Sequence, residues 1–191
     1  MCPYIYTTIK CLTTYEINNN VPKLIIDRLN PKRYELTTIF RHNKEINSFI
    51  NYLFDLSKQI QNQNYSSITI QYFSSFNATR SYLQYLRHEG WRIIDYTSTQ
   101  YIDEPDNDHL IHGRKRSRDY NEEEFDNVVA VIDDSFYYKE NNKLSSKVEE
   151  SKLFYHPTKM LYQNINRARK KLHIVIINNP KILDKILNVL N

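Results

Sequence analysis

Glycine is scarce in this chain: Gly90 and Gly113 are the only two among 191 residues. A phosphate-binding loop of the G-x-x-x-x-G-K-[ST] type needs two glycines five apart, because its backbone N–H groups must wrap the phosphates. Neither that loop nor a G-x-G-x-x-G turn can be built here. Any contact with ATP must be made without a P-loop of the chain's own. Cysteine is equally scarce, with Cys2 and Cys11 alone, which excludes a disulfide framework and fits a reducing cytoplasm. The histidines, His42, His88, His109, His112, His156 and His173, show no metal-ligand spacing, so no metal is expected. No apolar run approaches the length of a membrane span, and the start lacks the apolar centre of a signal peptide. The chain is therefore read as cytoplasmic, with no membrane partner.

What is present is enough to fold. Hydrophobic residues make up 40% and aromatics 13%, with 16 tyrosines. A length of 191 residues is most simply one domain over 1–191. The net charge of +4 permits nucleic-acid or nucleotide partners without demanding them. Periodicity predicts short helices and strands in alternation. Helices are expected near Pro22–Leu29, Asn43–Ser57, Asn77–His88 and Thr158–Lys171, and after Pro180. Strands are expected near Tyr34–Thr38, Ser67–Phe73, in "WRIIDY", at Asn127–Asp133 and at Leu172–Ile177. This alternation predicts an α/β domain of three layers with a mainly parallel sheet. The interval Ile102–Glu124, acidic on both sides of "RKRSR", reads as an exposed loop, and a second loop is expected over about Tyr138–Glu150.

Several residues have chemistry to offer. "NINRARKKL" puts Arg167 and Arg169 two apart, so on a helix they point to different faces. An arginine just ahead of a buried strand suits a finger that stabilises charge on a transferring phosphoryl group. A solvated basic helix end complementing its own dipole is the plainer alternative. Arg41 falls at a strand-to-helix junction, followed by Asn43 as a helix N-cap and Glu45 in the first turn. Glu122, Glu123 and Glu124 precede a buried strand that ends at Asp133 and Asp134. Such carboxylates suit metal binding or proton transfer, and equally suit a solvated acidic loop.

In this order the segments resemble those of the superfamily 1 (UvrD-like) helicases, and most closely the DNA/RNA helicase branch with a Schlafen-type ATPase. "ELTTIFRHNKEI" is similar to the fourth helicase motif, "EEEFDNVVAVID" to the fifth, and "LYQNINRARKKLHIVI" to the sixth, whose usual centre is Thr-Arg-Ala. The start, "YIYTTIKCLTTYEI", looks like the stretch after that family's Walker B strand, so the resemblance spans nearly the whole chain. It implies a RecA-like second motor domain. Arg41 and Arg167 would match the arginines that reach the γ-phosphate, and Glu124 the glutamate that touches ribose. ATP and Mg²⁺ would bind only with a partner that carries the P-loop, and no cofactor would bind to the chain alone. Glu122 stands where the fifth motif has glycine, Asn166 where the sixth has threonine, and "RKRSRDY" replaces a histidine or threonine upstream.

Three functions follow as expectations. The first is a helicase half, inactive as an ATPase alone, with its arginines gathered at the C-terminal edge of the sheet. It would bind single-stranded DNA or RNA weakly, through Arg169, Lys170 and the run Arg114, Lys115, Arg116. The second is a non-catalytic module for nucleic acid or protein on the same scaffold, which the carboxylate at Glu122 favours because it would repel phosphate. The third is a nuclease whose Glu122–Glu124 and Asp133 converge on a metal.

Overall fold

The computed structural model describes residues 19–30, 43–58, 64–94, 123–147 and 156–190. The expected strand at Tyr34–Thr38, most of the interval Ile102–Glu124, and Arg41, Arg114, Lys115, Arg116 and Glu122 lie outside the described residues. In chain order the elements are α1 (Val21–Leu29), α2 (Lys44–Phe54), β1 (Ile68–Phe73), α3 (Phe76–His88), β2 (Arg92–Ile93) and β3 (Phe125–Ile132). They continue with β4 (Phe136–Tyr138), β5 (Leu144–Ser146), α4 (Pro157–Ile165), β6 (Ala168–Ile177) and α5 (Pro180–Leu190).

β1, β6, β3 and β2 lie side by side in that order, and every pairing is parallel. The α/β class with a mainly parallel sheet follows. The last strand in the chain is central, paired with β1 on one side and β3 on the other. That position explains the apolar run Ile174–Ile177 that ends β6, since a strand covered on both faces has no solvent side to make polar. Leu172, Ile174 and Ile176 share one face with Val128, Ala130 and Ile132. There they pack under α2, α4 and α5 through Phe49, Leu53, Leu161, Ile165, Ile182 and Ile186. Val175 and Ile177 share the other face with Val129 and Ile93, covered by Leu83 and Leu86 of α3.

Local signals account for most boundaries. Asn43 caps α2, its side-chain oxygen accepting from Ile46 N–H at 2.8 Å. Ser75 does the same for α3 through Ala78 N–H at 3.4 Å. α3 ends in paired back-bonds, Trp91 N–H to Leu86 O at 3.0 Å and Gly90 N–H to Arg87 O at 3.1 Å. That ending needs a left-handed residue, supplied by Gly90 at φ 82°.

Two expectations are corrected. The helix expected over Thr158–Lys171 stops at Ile165, and β6 begins at Ala168 rather than Leu172. The Asn166 side chain donates back to Tyr162 O at 2.6 Å and closes the helix. The next residues are then drawn into the ladder, with Ala168 opposite Phe125 and Lys171 opposite Asn127. Arg169, Lys170 and Lys171 therefore lie on a strand, which helical periodicity could not anticipate. The loop expected over Tyr138–Glu150 contains a hairpin, with Phe136 opposite Ser146 and Tyr138 opposite Leu144. Its turn depends on Asn142 at φ 62°, a left-handed position that asparagine tolerates. The strand expected in "WRIIDY" is described only as Arg92–Ile93, and residues 95–100 lie outside the described set.

The hairpin is tied to the body by Tyr138, whose hydroxyl donates to Leu53 O at 2.8 Å. Burial pushes that hydroxyl's pKa up, because the phenolate would be desolvated. Tyr138→Phe leaves the Leu53 carbonyl without this donor and is expected to cost about 1 kcal/mol, measured by urea unfolding at neutral pH.

Candidate functional site

In a parallel sheet, residues just ahead of the strands gather at one edge. The edge where β1, β3 and β6 begin brings together three segments distant in sequence. From the first, the Asn43 amide donates to Ser67 Oγ at 2.7 Å and to Lys170 O at 3.4 Å. Glu45, in the first turn of α2, accepts from Ser67 N–H at 2.7 Å and from Ser66 Oγ at 3.3 Å. From the second and third, Arg167 Nη1 donates to Glu123 O at 3.0 Å, and Phe125 N–H donates to Arg167 O at 2.9 Å. Arg167 is only 5% exposed. Its backbone N–H also donates to Asn164 O, at 3.2 Å.

The cations on this edge differ in how firmly they are held. Lys170 Nζ lies 2.6 Å from Asp126 Oδ2, an ion pair whose side chains are 70% and 49% exposed. The hydrogen bond from Lys170, and then its charge, hold the Asp126 carboxyl below the usual carboxylate range. Solvent screens such a pair, so it positions Lys170 more than it stabilises the fold. The Arg92 guanidinium lies 4.6 Å from the centroid of the Phe125 ring, a cation–π contact across β2 and β3. Arg169 and Glu124 are exposed.

This arrangement departs from two expectations. Arg167 sits at the N-terminal edge of the sheet, not the C-terminal edge, because it immediately precedes β6. Of the carboxylates assigned to a nuclease, the described ones do not converge either. Glu123 and Glu124 precede β3 and Asp133 follows it, so the strand's length of roughly 25 Å separates them. Asp133 is engaged locally, accepting from Ser135 N–H at 3.0 Å. Among the described residues no cluster of three or more His, Cys, Asp or Glu is arranged to hold a metal ion. Among them, too, no helix is long and apolar enough to cross a membrane.

One cluster was not anticipated. His173 is buried on β6, on the face covered by α3, with its Nε2 3.3 Å from the Tyr82 hydroxyl. Tyr82 and Trp91 pack against its ring at 5.6 Å and 5.5 Å between centroids. Burial lowers its pKa to about 4, because the imidazolium would be desolvated. The one available signal was a polar residue at an apolar position inside "LHIVII". No protein-family model, curated protein or solved structure matches the chain.

Proposed function

We propose that the chain acts as the second, RecA-like motor domain of a superfamily 1 type helicase, without the P-loop domain that would complete its ATP site. What supports this reading is the linkage of the three motif-like segments, although the edge they share is the N-terminal one and not the C-terminal one expected of a helicase half. Asn43 belongs to the segment that resembles the fourth motif, Glu123 to the fifth and Arg167 to the sixth, and hydrogen bonds link all three to one sheet edge. Arg41 and Arg167 would then face the γ-phosphate and Glu124 the ribose. ATP and Mg²⁺ would arrive with the P-loop partner, because an arginine finger acts only on nucleotide already held. Single-stranded DNA or RNA would bind weakly through backbone phosphates, to Arg169, Lys170 and the run Arg114, Lys115, Arg116.

The burial of Arg167 favours a second reading, a non-catalytic nucleic-acid- or protein-binding module on the same scaffold. A guanidinium that is 5% exposed and bonded to a backbone carbonyl is already serving as a strut. ATP hydrolysis by the chain and by Arg167→Ala, each with and without single-stranded DNA or RNA, tests the proposal. No turnover is expected from either. Turnover by the isolated chain that falls on losing Arg167 would overturn it, because a complete nucleotide site would then exist. Adding a P-loop-bearing first domain in trans separates the two readings. Arg167-dependent turnover of the mixture belongs to the first, and an inert mixture to the second.

A further inference from the structure

We draw no further inference here: the strongest candidate, the sheet edge where β1 and β6 end and the chain leaves toward α3 on one face and α5 on the other, rests on two helix N-termini, capped by Ser75 and Asn179, with no second feature among the described residues to say what ligand would fill it.

Discussion

Arg167→Ala is expected to lower the unfolding free energy by about 2–3 kcal/mol, read from urea unfolding at pH 7. The backbone bonds of Arg167, from Phe125 N–H and to Asn164 O, survive the substitution. What disappears is the Nη1 bond to Glu123 O, which fastens the approach to β3 onto the start of β6. The buried alkyl stem goes with it, leaving a void in a stretch whose neighbours in sequence, Ile165 and Ala168, are also buried. Arg167→Met separates these losses. Methionine keeps most of the stem and brings no charge, and a buried guanidinium is costly to desolvate, so at least half of the lost stability should return. A change below about 0.5 kcal/mol in Arg167→Ala would mean that the side chain is not a strut, since that is the scale of ordinary surface substitutions. Its main role would then be contact with a partner.

How far the sequence carried the fold depends on where the determining interactions lie. Helices set by their own caps were legible: Asn43 and Ser75 at N-termini and Gly90 after α3 act within a few residues of themselves. The α/β alternation and the buried central strand were legible for the same reason, since an apolar run flanked by turn residues is a local signal. The junction at Asn166 was not. Arg169, Lys170 and Lys171 suit a helix as well as a strand by propensity. They are extended because this part of β6 is ladder-paired to β3, a strand that lies well upstream in the sequence. The β4–β5 hairpin escaped detection because its strands are three residues each, too short for an alternation to register.

The candidate site divides along the same line. That Arg167 precedes a buried strand was legible, and so was the proximity of Glu124 to another. That both strands begin at one edge, side by side, is a property of sheet order. The order β1-β6-β3-β2 could not be read from a single chain. The exposure of Tyr85 was hidden for a different reason. Tyrosines three apart on a helix, as Tyr82 and Tyr85 are, look like a core stripe, yet Tyr85 falls past its rim.

His173 should make the fold acid-labile in a defined window. In the unfolded chain its imidazole titrates near 6.5, whereas in the folded chain it does so at about 4. Between those values the unfolded chain binds more protons, so stability rises with pH through the window and falls as pH drops through it. The contribution is fully present above pH 6.5 and is lost on the way down to about pH 4. A variant that cannot titrate isolates the effect. His173→Gln keeps a polar group within reach of the Tyr82 hydroxyl, which lies 3.3 Å from Nε2. The carboxylates and the other histidines titrate alike in both proteins and cancel in the difference. The stability of the unaltered chain relative to His173→Gln should therefore fall by about 2 kcal/mol between pH 7.5 and pH 4.5. A difference that stays flat over that range would mean that the ring takes up its proton without leaving the sheet, with Tyr82 and Trp91 opening to admit water.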